Sequence, residues 1–222
     1  MQTIQYMGSK NKVLQYLEDC LKHFVSTHPL PTPASTFFDA FAGSGRVSYH
    51  FRDQYTVLSN DKLHFSKTIL SAYLCTAFTK SQKEHSTTLI ARLNTIPDDH
   101  FEKTDGWFTK HYGWHENDGR SENEHGVKKV WLYKNSRKID SIRHQIAEWK
   151  DTSKIDRSTE DVLLLSLILA INKVSNVVGH QNGYLKRWCT NAKRDLILEL
   201  PTIEPRPDSE HQQFVGDIFT TM

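Results

Sequence analysis

The stretch between residues 36 and 61 constrains the fold of this chain more than any other part of the sequence. An apolar run leads into a glycine turn, a short helical pattern follows, and a second β-branched run ends in an acid. The predicted elements are a strand at 36–41, a helix at 47–52, a strand at 55–61 and a helix around 63–77. This order is typical of the start of a doubly wound α/β sheet.

Two glycines, Gly43 and Gly45, follow the first predicted strand. They let the backbone turn sharply and approach a ligand where a Cβ would clash, and the helix that follows offers unpaired N–H groups to an anion. Asp61 ends the next strand 18 residues after Gly43, close to the spacing of about 20 typical of a ribose-binding acid. Two plainer interpretations stay open: a simple glycine turn, and an Asn60-Asp61 pair that caps the next helix.

A second acid, Asp217, ends the last predicted strand in Val215-Gly216-Asp217-Ile218. Open α/β sheets bind ligands at the carboxyl ends of their strands, so this carboxylate can accept a hydrogen bond from an exocyclic amino group such as that of adenine. A turn-forming Gly-Asp pair is an equally good interpretation of the same residues.

The rest of the chain combines helical patterns with polar loops. The spacing predicts helices at 10–24, around 139–149 and at 162–177, the last capped by residues 158–161, and strands at 196–200 and 213–219. Residues 100–135 are rich in Gly, Asn, His, Trp and charge, so we expect a loop-rich insertion. The predicted division is 1–79, 80–200 and 201–222.

Composition excludes several classes of protein. With 37% hydrophobic and 24% charged residues the chain is not disordered throughout. Its longest apolar stretch, 162–171, is too short to span a bilayer, and the first residues do not form a signal peptide. The three cysteines are far apart, which favours reduced thiols in the cytoplasm over a disulfide framework, and no metal site is indicated.

The net charge is only +2, yet basic residues cluster at 128–138 and at 186–194. Cations there can contact phosphates, amides can pair with base edges, and aromatic rings can stack. The candidate DNA-binding residues are His180, Gln181, Asn182, Tyr184, Lys186, Arg187, Lys134 and Asn135. The alternative is a solvated polar face above buried aromatic residues, and Trp188 is expected to pack internally under either interpretation.

These motifs together resemble the Dam-like (α-group) DNA adenine N6-methyltransferases. Tyr6 and Lys10 match the aromatic residue and lysine of motif X, and Asp39 through Gly45 match motif I. Asp61 matches the motif II acid, and Asp217 matches the motif III acid. The resemblance implies a partial doubly wound, Rossmann-like methyltransferase sheet formed by 1–79 and 201–222, with residues 80–200 as a mainly helical DNA-recognition insertion.

The resemblance also implies S-adenosylmethionine (AdoMet) as cofactor. The residues implied to hold it are Tyr6, Met7, Lys10, Asp39, Phe41, Ala42, Gly43, Ser44, Gly45, Asp61, Lys62, Asp217 and Ile218.

One family element is absent from this sequence. The family places an Asp-Pro-Pro-Tyr motif shortly after the motif III acid, but no two of the seven prolines here are adjacent. We therefore expect no catalytic residue in this chain. The expected protein is one subunit of a split adenine methyltransferase from a restriction-modification system, completed by a partner polypeptide that carries the motif and the remaining strands. A truncated fragment, a non-catalytic AdoMet- or nucleotide-binding regulator and an RNA methyltransferase are the alternatives.

Overall fold

The computed structural model describes residues 1–2, 4, 8–28, 34–98, 105–116, 119–122, 125–178, 185–204 and 210–221. The chain divides into two compact units. Unit 1 consists of Met1, Gly8–Thr79 and Ile203–Met222, and unit 2 of Gln2–Met7 and Lys80–Thr202. No helix in the described ranges is long and apolar enough to cross a membrane.

The fold is mixed α/β, with many helices and little sheet. In unit 1 the elements are a 3₁₀ turn (Asn11–Val13), α1 (Leu14–Thr27), β1 (Thr36–Asp39), α2 (Arg46–Phe51), β2 (Thr56–Asp61), α3 (His64–Leu70), a π-helical turn (Ser71–Cys75), β5 (Gln212–Val215) and α9 (Ile218–Thr221). In unit 2 they are α4 (Lys80–Thr95), α5 (Trp107–Tyr112), β3 (Gly113–Trp114), β4 (Trp131–Leu132), α6 (Tyr133–Asp151), α7 (Arg157–Lys173) and α8 (Thr190–Lys193).

Unit 1 contains a parallel three-stranded sheet in the order β1-β2-β5. Helix α2 packs on one face of this sheet, where the ring of Phe37 stacks on that of Phe51 with centroids 4.5 Å apart. The predicted order of strand, glycine turn, helix, strand and acid is confirmed by β1, α2 and β2. It could be predicted because each of these elements is specified by residues close together in sequence.

Three predictions in unit 1 need correction. The first helix begins at Leu14 rather than residue 10 and runs on to Thr27. The helix expected around 63–77 ends at Leu70 and widens into the π-helical turn, which Thr76 closes by donating its backbone N–H to Ser71 O at 2.9 Å. The strand expected at 213–219 ends at Val215.

Unit 2 is built around a hydrophobic core between α4, α6 and α7, with fully buried residues such as Leu93, Ile142 and Leu163. Helix α7 begins at Arg157, earlier than predicted. Its N-cap is Asp156, whose side chain accepts a hydrogen bond from Thr159 N at 2.8 Å, so the predicted cap at 158–161 is wrong. A carboxylate at the N-cap satisfies one of the amide groups left open by the first turn.

The strand predicted at 196–200 is not a strand, although its alternation of side chains is present: Leu196 and Leu198 are buried and Ile197 is exposed. Its backbone pairs with side-chain amides instead of a neighbouring strand. Asn94 bonds both the N–H and the carbonyl of Leu198, at 2.8 and 2.9 Å. Asn135 accepts from Leu196 N at 3.0 Å. Helical amides thus complete the hydrogen bonding that an extended segment requires.

Candidate functional site

The candidate site lies where β1 and β2 end side by side in unit 1. Both strands point the same way, so the turn after β1 and the acid at the end of β2 meet at one edge of the sheet. Gly43 and Gly45 have φ values of +54° and +76°, in the left-handed region that favours glycine. Ala42 N donates to Asn60 O at 2.9 Å, which ties the turn to the end of β2.

Asp61 joins this turn to the next helix. Its Oδ2 accepts from Gly43 N at 2.7 Å, and its Oδ1 accepts from Leu63 N at 2.9 Å. The structure therefore brings the two sequence-predicted elements, the glycine turn and the acid, into direct contact. The bond to Leu63 N also supports part of the plainer interpretation, since Asp61 shapes the entry to α3. Each carboxylate oxygen can accept a second hydrogen bond, so Asp61 retains capacity for a hydroxyl group.

Asp39 is directed into unit 1, toward α2. Its Oδ2 accepts from Ser48 Oγ at 2.6 Å and from Ser48 N at 3.1 Å, and Ser59 Oγ donates to Ser48 Oγ at 3.0 Å. Burial raises the pKa of the Asp39 carboxyl above its ordinary value, more than the bonds from Ser48 lower it. The Asp39–Ser48 contact fixes the glycine turn against the first turn of α2.

Asn60 was predicted only as a possible cap of the next helix and not as a residue of the site. Its Nδ2 donates to Ala40 O at 3.2 Å and to Gly216 O at 3.3 Å. One buried side chain on the middle strand therefore holds together the chain segments that leave β1 and β5. An amide at a strand position that should be apolar is the signal that could have found it, because a buried amide needs specific partners.

Asp217 lies two residues after β5, at the same edge of the sheet. Its Oδ1 accepts from Phe219 N at 3.1 Å, and Lys62 Nζ lies 3.8 Å from its Oδ2. The predicted turn is therefore present, and Ile218 begins the short helix α9. Lys62 and Asp217 are thus brought together.

The other cofactor candidates differ in exposure. Ala42 and Ser44 are buried within the turn, whereas Phe41 is 76% exposed. Lys10 is exposed, and its Nζ donates to Gly8 O at 3.0 Å. Tyr6 and Met7 lie outside the described residues.

Four of the DNA-binding candidates, His180, Gln181, Asn182 and Tyr184, lie outside the described residues. Lys134 is exposed and forms an ion pair with Asp195 at 2.6 Å. Asn135 is buried instead, since its Nδ2 donates to Ala192 O and Arg194 O at 3.3 and 2.8 Å. A side chain whose amide is used in this way does not face a base edge, so its expected place at the DNA surface needs correction.

Lys186 and Arg187 are both exposed, and their backbone contacts the segment at 120–121. Lys186 O accepts from Ser121 N at 3.1 Å, and Arg187 forms an isolated antiparallel bridge with Arg120. Trp188 is buried against Leu132, as predicted. Both cations therefore project from backbone that is hydrogen-bonded to residues 119–121.

Comparison with known proteins identifies relatives that are named as methylases or methyltransferases. Modification methylase LlaI of Lactococcus lactis subsp. lactis is 30% identical over 88% of this chain and 29% of its own length. Type II methyltransferase M.NlaIII of Neisseria lactamica is 30% identical over 96% of this chain and 58% of its own length. Type II methyltransferase M.FokI of Planomicrobium okeanokoites is 28% identical over 88% of this chain and 28% of its own length. No solved structure matches.

The chain thus spans between about a quarter and three fifths of the length of these curated relatives. The family model for D12 class N6 adenine-specific DNA methyltransferases matches residues 6–212, which include the glycine turn, Asp61 and the whole of unit 2 from Lys80 onwards. The chain belongs to the D12 class N6 adenine-specific DNA methyltransferases.

Proposed function

We propose that this chain is the AdoMet-binding and DNA-recognising subunit of a split, site-specific DNA adenine N6-methyltransferase from a restriction-modification system. A partner polypeptide supplies the Asp-Pro-Pro-Tyr motif that this sequence lacks. The observation that carries the proposal is the direct bond between Gly43 N and Asp61 Oδ2 at the carboxyl ends of two parallel strands. The family match supports adenine in DNA as the acceptor.

The residues at this edge of the sheet fit AdoMet. Asp61 keeps acceptor capacity for ribose hydroxyls. The turn beside it is left-handed at Gly43 and Gly45, and at Gly45 a Cβ would meet Leu70 Cδ2 at 2.8 Å, so glycine is required there by packing. Asn60 Oδ1 is buried and lacks a hydrogen-bond partner among the described residues, so one acceptor at this edge awaits a donor. AdoMet, when bound, supplies an electrophilic methyl group on its sulfonium sulfur.

The residues at this edge then position the cofactor. Asp61 holds the ribose and Asp217 with Ile218 holds the adenine of the cofactor, while Asp39 keeps the glycine turn in place through Ser48. In the full family assignment, Tyr6, Met7, Lys10, Phe41, Ala42, Ser44 and Lys62 complete this site. Fixing both reactants converts a bimolecular step into an effectively unimolecular one.

Unit 2 contributes DNA recognition in this proposal. Lys134, Lys186 and Arg187 are exposed cations that can neutralise phosphates, and His180, Gln181, Asn182 and Tyr184 are proposed to contact bases. The target adenine leaves the duplex for methylation. An enzyme of this kind acts on cellular DNA, so a cytoplasmic location is part of the proposal.

Titration with S-adenosylhomocysteine tests the cofactor site. Asp61→Ala should weaken binding by about ten- to hundredfold, because a charged acceptor for the ribose is lost. Asp19→Ala, which removes an exposed acid from α1, is the matched control and should leave the affinity unchanged. Equal affinities for wild type and Asp61→Ala would remove Asp61 from the site.

Methyl transfer from labelled AdoMet to unmethylated duplex DNA tests the split enzyme. The chain alone should give no transfer, and transfer should appear when a polypeptide with the acid-Pro-Pro-aromatic motif is added. Robust transfer by the chain alone refutes the need for a partner. Structured RNA as competitor separates a DNA enzyme from an RNA enzyme, since only the true substrate class suppresses the reaction.

A further inference from the structure

A short antiparallel pairing in unit 2 sets two arginines, Arg120 and Arg187, directly opposite each other. Two backbone hydrogen bonds of 3.1 Å flank this arginine pair, from Ser121 N to Lys186 O and from Trp188 N to Gly119 O. Such flanking bonds define a non-hydrogen-bonded pair, in which the Cα atoms of antiparallel segments lie closest, at about 4.5 Å. The two side chains therefore leave the same face side by side, and both are exposed.

Buried neighbours hold the backbone of the arginine pair in place. Trp188 is 6% exposed and packs against Leu132. Ser121 is fully buried, its Oγ donates to Leu185 O, and its carbonyl oxygen accepts from Lys129 N at 2.8 Å. Each arginine thus has a buried residue next to it in sequence, and the spacing of the pair is fixed by the fold.

The charges on this face do not favour stability. Glu122 forms a second antiparallel bridge, with Lys128, and this bridge places opposite charges together. Arg120 and Arg187 place like charges together, which destabilises such a pairing. Residues 120 and 122 are two apart on one bridged segment, so the two pairs share a face that carries three cations and one acid among these four residues. A local arrangement that opposes folding is typical of a functional site, here one for an anion.

The geometry of the arginine pair suits a phosphate. An anion between two guanidinium groups offsets their repulsion, and it does so only when both groups share it. Guanidinium is a planar, always charged fork that matches the oxygens of a phosphate. The family acts on DNA, whose backbone carries phosphates on the outside of the duplex, where most protein–DNA hydrogen bonds are made.

We propose that Arg120 and Arg187 together hold one phosphate of the DNA backbone. The proposal rests on the proposed function, which assigns Arg187 to phosphates, and it adds Arg120 and the sharing of a single group between the two. A phosphate contact fixes the position of a protein on the duplex without reading its sequence. The arginine pair therefore contributes affinity that is the same for every sequence.

Fluorescence anisotropy of the full chain with two duplexes of unrelated sequence, at several salt concentrations, tests the proposal. Arg120→Ala and Arg187→Ala should each weaken binding to both duplexes by about three- to tenfold and lower the slope of log affinity against log salt by about one. The double variant should lose less than the product of the two single losses, because residues that share a partner are not additive. Arg143→Ala, which removes an exposed arginine of α6, is the matched control and should change the affinity by less than about twofold.

Two further measurements separate binding from a structural role. Arg120→Lys keeps the charge but loses the fork, so its affinity should lie between those of wild type and Arg120→Ala. The melting temperature of both alanine variants should be equal to or higher than that of wild type, because the repulsion between like charges is relieved. A lower melting temperature together with weaker DNA binding would show that the pair serves the fold and would overturn the proposal.

Three other results would also overturn it. Fully multiplicative losses in the double variant exclude a shared phosphate, and a loss confined to one of the two duplexes indicates a contact to a base. Displacement of DNA by millimolar inorganic phosphate at constant ionic strength indicates a site for a free anion. A wild-type chain that binds neither duplex contradicts DNA recognition in the proposed function as well, whereas one that binds both and matches Arg120→Ala in affinity contradicts only the arginine pair.

Discussion

The two units of this chain solve the problem of burying apolar surface in different ways. Unit 2 encloses a cluster of fourteen buried hydrophobic residues between its own helices. In unit 1 no residue of α1 is buried, and the outer strands β1 and β5 alternate between exposed and half-buried positions. Unit 2 therefore encloses its core between its own helices, while unit 1 buries Phe51, Val57, Ile69, Leu70 and Leu74 but leaves Phe38 and Phe214 of its outer strands partly exposed.

The polar residues of the two units also differ in what they contact. In unit 2 the buried amides of Asn94 and Asn135 hold an extended segment to the helices, so they serve stability. In unit 1 the carboxylates of Asp39, Asp61 and Asp217 gather at strand ends, where Asp61 and Asp217 are proposed to bind ligand. Mutations of similar chemistry should therefore have different consequences in the two units.

The largest expected effect is in the core of unit 2. Leu163→Ala should lower the free energy of unfolding by about 2–5 kcal/mol, because it leaves a cavity in a fully packed site. Phe38→Ala removes a larger side chain, but Phe38 is a partly exposed residue of β1 in unit 1. This variant should lower the free energy of unfolding by about 1 kcal/mol or less. Hydrogen exchange under increasing denaturant resolves both units, and comparable losses in the two variants would contradict the difference between them.

A somewhat smaller effect is expected when Asn135 is replaced. Asn135→Ala leaves Leu196 N and two backbone carbonyls without their partner, at a cost of about 2–3 kcal/mol. Ile197→Ala, at the neighbouring exposed position, is the control and should change the unfolding free energy by about 0.5 kcal/mol or less. If Asn135→Ala were as mild as this control, the side-chain amide would not be what holds the segment.

Asn94 and Asn135 also show how much of this segment could be predicted from the sequence. The strand predicted at 196–200 is absent, but the alternation of buried and exposed side chains that a strand has is present, since that pattern is local. This alternation could not predict that the backbone partners are Asn94 and Asn135, which are distant in sequence. The same limit applies to Asn60, whose partner Gly216 lies 156 residues away in sequence.

The edge of the sheet at Gly43 and Asp61 was more predictable, because its residues lie close together in sequence. The glycine turn and Asp61 lie within one strand-helix-strand unit, so their spacing was sufficient to predict both elements, although not the direct bond between Gly43 N and Asp61 Oδ2. The direction of Asp39 was not predictable, because Ser48 becomes its partner only once α2 packs on the sheet. Local order thus predicted the turn and the acid at the strand end, and packing decided that Asp39 points toward α2.

An intermediate effect should appear in the pH dependence of unit 1. Burial raises the pKa of Asp39 in the folded state, so its contribution to stability is fully present below its unfolded pKa and is lost as pH rises through the folded value. Asp39→Asn removes this loss while keeping an acceptor for Ser48. Relative to wild type, the variant should therefore gain stability as pH rises above the ordinary pKa of an aspartate.

Thermal unfolding measured as a function of pH checks the prediction. Asp53→Asn is a suitable control, because Asp53 is an exposed acid of the same unit. A constant difference in melting temperature between Asp39→Asn and wild type at every pH would show that the Asp39 carboxyl has the same pKa folded and unfolded.

The smallest expected effect concerns the surface of unit 2. Lys134 and Asp195 form an exposed ion pair, 47% and 76% exposed, and Lys134 lowers the pKa of Asp195. Asp195→Asn should change stability by about 0.5 kcal/mol or less. It should strengthen DNA binding by about two- to threefold, because Lys134 no longer divides its charge between a carboxylate and a phosphate.

Lys134→Ala is the converse variant. It should weaken DNA binding and reduce the slope of affinity against salt by about one counterion, again with little change in stability. Fluorescence anisotropy with a duplex at several salt concentrations measures both variants. If neither variant alters DNA affinity, Lys134 lies away from the DNA. If both shift in the expected directions, DNA binding by unit 2 depends on charges at its surface and is separable from the core that holds the unit together.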